Sequence, residues 1–275
     1  MKKLVALFLA IIMTLSMVAT AMADNMEISG VEVKFLLDPE LVLDENHELK
    51  PEVLETLGFT GKVKNRGMQF IDLEGKPYNE EGWSLRIRIK QGDDEYDVTY
   101  KKRYTVENGD IDAALALAAA DGFVAGNEDY EAELDWGYNK LTLSISTESS
   151  VAKPETYGDT VLPGLEDSIA FIQETMPAEV AAVDADITAG IVCGPVYYPR
   201  YTGELAGMEL DIEICAITSP ITGETEYVCE VAFSADTMEE ASAKRDEITK
   251  ILDDAGILLK EDGLKTNKIL NAYIN

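Results

Sequence analysis

Residues 83–90 read Trp83-Ser84-Leu85-Arg86-Ile87-Arg88-Ile89-Lys90. Leu85, Ile87 and Ile89 fall on one side of an extended chain, and Ser84, Arg86, Arg88 and Lys90 fall on the other. Period-two alternation of this kind predicts a strand with one apolar and one polar face. The polar face carries three cations in a row, in a chain whose formal net charge is −29. Like charges so close repel unless something anionic lies over them. Water and salt, a row of carboxylates or a polyanionic ligand would each serve.

The same alternation recurs along the chain. Val31-Glu32-Val33-Lys34-Phe35-Leu36 puts Glu32 and Lys34 on one face and aliphatics on the other. Gly92-Asp93-Asp94 predicts a turn that folds the opening strand against Tyr96–Tyr104, which carries Lys101, Lys102 and Arg103. Residues 130–136 place Glu131, Glu133 and Asp135 on one face, an acidic counterpart of 83–90. Residues 208–214 do so with Glu209, Asp211 and Glu213, and Tyr227–Ala235 carries Glu230. Further strands are expected at 69–73, 140–146 and 191–198. Helices are expected at 110–120, behind an Asp cap, at 166–176, and after the capping box Thr237-Met238-Glu239-Glu240.

Strands with one charged and one aliphatic face admit two arrangements. A sandwich buries the aliphatics and leaves the charges in water. A closed barrel turns the charges into its lumen and has helices cover the aliphatic outside. In such a lumen opposed Arg and Glu interact strongly, and a bare row of cations is costly. A polyphosphate would relieve that cost, since Arg forks match phosphate oxygens. Facing carboxylates would hold Mg²⁺ or Mn²⁺ through oxygen.

The two ends and the composition bound the rest. Met1-Lys2-Lys3, the apolar run Leu4–Thr20 and Ala21-Met22-Ala23 have the layout of a secretory signal peptide. We therefore expect residues 1–23 to be removed, leaving one domain over 24–275 and a secreted protein without a membrane anchor. Strong acidity argues against a nucleic-acid polymer as partner. Three cysteines, Cys193, Cys215 and Cys229, allow one bridge between neighbouring strands and do not say which. With His47 the single histidine, lying in a polar run, a His/Cys zinc site and a Ser-His-Asp triad are both disfavoured. No P-loop or dinucleotide fingerprint occurs, and neither Asp110-Ile111-Asp112 nor Asp184-Ala185-Asp186 continues as a calcium loop.

From Glu32 to Gly256 the chain resembles the CYTH superfamily, the triphosphate tunnel metalloenzymes. The matching elements come in that family's order: Glu32-Val33-Lys34, Leu85-Arg86-Ile87-Arg88, Thr99-Tyr100-Lys101-Lys102-Arg103, Glu131-Ala132-Glu133-Leu134-Asp135, Arg200 before a glycine turn, then Asp211 and Glu230. The family's E-x-E-x-K strand reads Gly30-Val31-Glu32-Val33-Lys34 here, so glycine stands where the first glutamate would be. The resemblance implies an α+β fold, an eight-stranded antiparallel tunnel covered by helices. It implies a triphosphate-containing small molecule as substrate and Mg²⁺ or Mn²⁺ as cofactor. Carried over by position, Lys34, Arg86, Arg88, Lys101 and Arg200 would bind phosphates, with Lys90 and Arg103 as secondary candidates. Glu32 and Glu133 would be the catalytic carboxylates, with Glu131, Glu133, Asp211 and Glu230 as metal ligands. The implied activity is hydrolysis of inorganic or organic triphosphates. A polyphosphate- or nucleotide-binding module without turnover is the alternative, and mutual salt bridges in a ligand-free polar barrel a third reading.

Overall fold

Nine strands close a barrel around a charged lumen. The computed structural model describes residues 25–275, so the expected signal peptide, 1–23, lies outside the described residues. The strands are β1 (Ile28–Leu37), β2 (Phe59–Asp72), β3 (Trp83–Lys90), β4 (Glu95–Thr105), β5 (Glu131–Trp136), β6 (Leu141–Ala152), β7 (Ile191–Leu205), β8 (Met208–Thr218) and β9 (Thr225–Ala235). A two-residue strand, β10 (Leu258–Leu259), pairs with the end of β1. Around the barrel the order is β1-β5-β6-β4-β3-β2-β7-β8-β9, and β9 returns to β1.

The expected eight-stranded antiparallel tunnel is corrected here. The sheet is mixed, because β1 and β5 run parallel, Val31 beside Leu134 and Glu32 beside Asp135. The cause is topological: nine strands that alternate in direction return to the starting direction, so the closing pair has to be parallel. The extra strand is legible in the chain itself, which contains nine stretches of strand character; the count of eight comes from the family resemblance.

The alternation of 83–90 works as the barrel reading requires. Leu85, Ile87 and Ile89 are buried on the outside of the barrel wall, while Arg86 and Arg88 line the lumen. The outer aliphatics are covered by α4 (Ile111–Ala120), α5 (Leu165–Thr175) and α7 (Met238–Asp254), through Leu115, Ile172, Ile248 and Leu252. Burying each such side chain stabilises the fold by ~1.5–3 kcal/mol. Asp110 caps α4 by accepting from the Ala113 amide at 3.0 Å, and Thr237 caps α7 by accepting from the Glu240 amide at 3.2 Å. Four single-turn helices, α1 (Pro39–Val42), α2 (Pro51–Thr56), α3 (Pro77–Glu80) and α6 (Ala178–Ala181), fill the connections. Among the described residues, no helix is long and apolar enough to cross a membrane.

A second, smaller core lies inside one end of the barrel. There α8 (Lys265–Tyr273) and the residue after it set Ile269, Leu270 and Ile274 against Met68, Phe70, Val196, Cys215 and Val228. One end of the lumen is thus apolar and filled, and the charged side chains lie toward the other. All three cysteines are free and buried. Cys215 lies opposite Val228 and Cys229 opposite Ile214, one register step apart, so the two leave opposite faces of the sheet.

Candidate active site

The lumen encloses a cavity of about 1000 Å³. Its wall divides into two arcs. Neighbouring strands β4, β3, β2 and β7 contribute Lys101 and Arg103, Arg86 and Arg88, Arg66, and Arg200. Strands β8, β9, β1 and β5 contribute Asp211 and Glu213, Glu230, Glu32, and Glu131, Glu133 and Asp135. Each strand alternates, so closing the sheet lines up like charge across strands that are distant in sequence.

Where the arcs adjoin, the charges pair. Arg200 pairs with Asp211, its diagonal neighbour across β7 and β8. Lys101 lies 3.8 Å from both Glu133 and Asp135. Lys34, a cation inside the acidic arc, donates to Asp135 Oδ1 at 2.9 Å and lies 2.5 Å from Glu32. Arg88 donates through Nε and Nη2 to Asp97 Oδ2 at 3.1 and 2.9 Å, and Lys90 lies 2.8 Å from the same oxygen.

The middle of the cationic arc is different. Arg66, Arg86 and Arg103 pair with no carboxylate among the described residues. Arg86 Nη2 donates to the Thr99 hydroxyl and Arg103 Nη1 to the Ser84 hydroxyl, both at 3.0 Å. The Nε atoms of Arg66, Arg86, Arg103 and Arg200 are buried and have no hydrogen-bond partner. Burial, with the adjacent Arg88 charge, pushes the Arg86 guanidinium down to about 10, and burial lowers Arg103 as well. Buried donors left unpaired are costly and call for an acceptor.

Opposite them, burial raises the Glu133 carboxyl above its ordinary value, and the Glu32 and Asp135 charges add to the shift against the counter-pull of Lys101. Asp135 behaves in the opposite way: burial works against its charge, but Lys34, Lys101 and Arg103 outweigh it and hold the carboxyl far below its ordinary value. Burial likewise opposes the Lys34 charge, and Asp135 and Glu32 together raise it well above the usual lysine range. These shifts fix a pH dependence. A depressed Asp135 adds stability above about pH 4, its unfolded value, and that stability is lost as the pH falls through the folded value. A raised Lys34 adds stability below about pH 10.4, lost as the pH rises through its folded value. The contributions of Asp135 and Lys34 to stability should therefore both be full between about pH 4 and 10, and melting temperature should fall on either side of that range. Asp135→Asn should remove the acid limb of that curve, and a limb that survives would assign it to other groups.

Of the residues expected from sequence, Glu32, Lys34, Arg86, Arg88, Lys101, Glu133, Arg200, Asp211 and Glu230 all line one lumen. Glu131 also borders it but is exposed, at the start of β5. Arg103, Asp135 and Glu213 join them. The lumen cations with no counterpart in the sequence reading include Arg66, on a stretch of β2 with no apolar alternation, and Lys265, from α8. Lys265 pairs with Glu213 and donates to Glu230 Oε1 at 3.0 Å. It also lies 5.8 Å from the centre of the Tyr198 ring, a cation–π distance.

The expected metal ligands do not gather. Among the described residues no three His, Cys, Asp or Glu side chains form a set that could hold an ion. Asp211 and Glu230 are engaged by Arg200 and Lys265, whereas Glu133 has no cation closer than Lys101 at 3.8 Å, and Glu131 has no ion-pair partner among the described residues. Mg²⁺ is commonly held by one or two carboxylates and completed by phosphate oxygens and water. The β5 carboxylates suit that mode, and Asp211 and Glu230 do not.

No protein-family model and no curated protein matches this chain. Solved structures do superpose. A Hippeastrum protein assigned as an adenylyl cyclase, and described as having a dominant triphosphatase activity, aligns with a TM-score of 0.50 and 11% identity, over 89% of this chain and 96% of its own. A Bacillus halodurans protein assigned as an adenylate cyclase gives 0.48 and 14% identity over 90% and 98%, and PH1012 of Pyrococcus horikoshii gives 0.42 and 13% over 86% and 98%. The likeness to the Hippeastrum protein shows a shared fold. What the two share is a closed barrel with helices outside.

Proposed function

We propose that this protein hydrolyses the phosphoanhydride bonds of inorganic or organic triphosphates in its lumen, outside the cytoplasm. The observation that carries this reading is the run of half-buried arginines, Arg66, Arg86 and Arg103, whose buried Nε donors have no acceptor along the lumen. A polyphosphate supplies several anionic oxygens in a line, and guanidinium forks match them. The activity described for the Hippeastrum protein supports the same reading.

Phosphoryl transfer depends chiefly on neutralising spread charge and orienting the attacking group. Arg66, Arg86 and Arg103 would hold phosphate oxygens on one side of the cavity. Glu133, across the lumen and with its carboxyl raised by burial, would accept a proton from a water aligned with the phosphate; Glu32 beside it would help orient that water. Mg²⁺ or Mn²⁺ on Glu133 and Glu131 would neutralise charge on the phosphate when bound. The cavity is large enough for a nucleoside triphosphate as well as tripolyphosphate.

The alternative, binding without turnover, is favoured by Gly30. It stands beside Glu133 in the parallel pairing, at the position where the family strand carries its first glutamate. A side chain is admissible there, since a Cβ would come no nearer than 3.4 Å to its closest neighbour, the Ala235 carbonyl oxygen. Phosphate release from tripolyphosphate and ATP, each with Mg²⁺ and with Mn²⁺, tests the proposal alongside melting curves with the same ligands. Release together with a raised melting temperature is expected. A raised melting temperature without release would identify a binder, and in that case Gly30→Glu should introduce turnover. A melting temperature indifferent to millimolar tripolyphosphate would remove both readings. The extracellular placement is tested by N-terminal sequencing of protein recovered from outside the cells, with Asp24 as the expected first residue.

A further inference from the structure

Glu213 and Glu230 are register partners on β8 and β9, and both face the lumen. Like charges directly opposite one another destabilise a sheet. Lys265 resolves the conflict by pairing with both carboxylates. It is not a swinging surface side chain. Its ammonium is largely buried against the Tyr198 ring, and its helix is anchored by Ile269 and Leu270 in the apolar end of the barrel.

We propose that the Lys265 ammonium is the resident cation of the Glu213–Glu230 pair and stands where an oxygen-ligated divalent ion would otherwise bind. Two facing carboxylates suit such an ion through oxygen. An ammonium already between them neutralises part of their charge, fills the space and repels a second cation. Because α8 tethers it, its occupancy does not depend on the concentration of free metal. Any divalent ion in the lumen is then left to the β5 side, where Glu133 has only a long contact with Lys101, 3.8 Å away. The inference goes beyond the triphosphate reading, since it holds whether or not the lumen takes a phosphate.

Mn²⁺ binding to the purified protein in phosphate-free buffer tests it, with stoichiometry read from the spin-resonance signal of free Mn²⁺ and a parallel melting curve. Lys265→Met keeps the aliphatic stem and removes the charge. It should gain one Mn²⁺ per chain over the parent and become more stable when Mn²⁺ is added. Lys265→Met combined with Glu230→Gln should lose that added ion. An unchanged stoichiometry in Lys265→Met would overturn the proposal. Should that variant fail to fold, Glu230→Gln in the otherwise natural chain decides: Mn²⁺ stoichiometry equal to the parent's supports the tethered cation, and loss of an ion overturns it. Failure of the triphosphate reading shows separately, as indifference of the parent to tripolyphosphate.

Discussion

Arg86→Met should raise the melting temperature in phosphate-free buffer and at the same time weaken tripolyphosphate binding by about 10- to 150-fold. The two effects have opposite signs because Arg86 is half-buried in a lumen where its guanidinium donates to a threonine hydroxyl and, among the described residues, has no carboxylate within ion-pair distance; Glu148, which accepts from that hydroxyl, acts on it only through its field. Burial has already pushed its guanidinium down to about 10, which shows that the folded state disfavours the charge. Methionine keeps the stem's packing and leaves no unpaired donor, a change that is often neutral or stabilising at buried ionic positions. The loss of binding corresponds to ~1.5–3 kcal/mol, the usual range for a hydrogen bond to a charged group. Arg88→Met is the control. Arg88 donates twice to Asp97, so its removal leaves Asp97 with Lys90 as its remaining cation partner and should lower the melting temperature. Thermal melts and calorimetric titration of both variants check this. A fall in stability for Arg86→Met would assign Arg86 a structural role and count against the anion site.

The difference between Arg86 and Arg88 was not visible in the sequence, where they sit two residues apart on one polar face. Alternation specifies which way a side chain points: along 83–90 it puts Ser84, Arg86 and Arg88 on the lumen and Leu85, Ile87 and Ile89 outside it, while Lys90, at the end of the strand, pairs with Asp97 and does not reach the cavity. It does not say what stands opposite, because that depends on which strands become neighbours. Asp97 lies on the adjacent strand and reaches Arg88; the carboxylates of β5 and β8 lie across the cavity from Arg86. Arg66 was hidden for another reason. Residues 60–65 of β2 are exposed and mostly polar, so no apolar period announces a strand, and β7 alone pairs most of them. Extending the parity of Phe70 and Met68 back by one step would have placed Arg66 in the lumen. Lys265 had no such signal. It opens a short C-terminal helix, and only the seating of Ile269 and Leu270 inside the barrel brings it to Glu213 and Glu230. The acidic face of 130–136 was legible, but the division of labour on it was not: Asp135 is tied to Lys34 and Ser144, while Glu133, two residues away, has only a long contact with Lys101 at 3.8 Å.

Asp135→Ala should be the most destabilising single substitution in the lumen, lowering stability by ~3–5 kcal/mol, the cost of leaving buried charges without their partner. For a chain of this size that corresponds to a fall of roughly 6–20 °C in melting temperature. Asp135 is 8% exposed, accepts from Lys34 at 2.9 Å and from the Ser144 hydroxyl, and lies 3.8 Å from Lys101. Its removal leaves Lys34 with Glu32, and Lys101 with a distant Glu133. Asp135→Asn separates charge from shape, since the amide still accepts from Ser144 but no longer balances the cations. It too should melt lower than the parent. Tripolyphosphate, however, should stabilise Asp135→Asn by more than it stabilises the parent, because the lumen has lost one negative charge and its cations are less satisfied. The reverse holds if Asp135 acts only through packing. Alanine would then be far worse than asparagine, and added tripolyphosphate would shift parent and Asp135→Asn equally. Melting curves of the three proteins with and without tripolyphosphate distinguish these outcomes, and equal shifts would mean that Asp135 does not share an electrostatic field with the anion site.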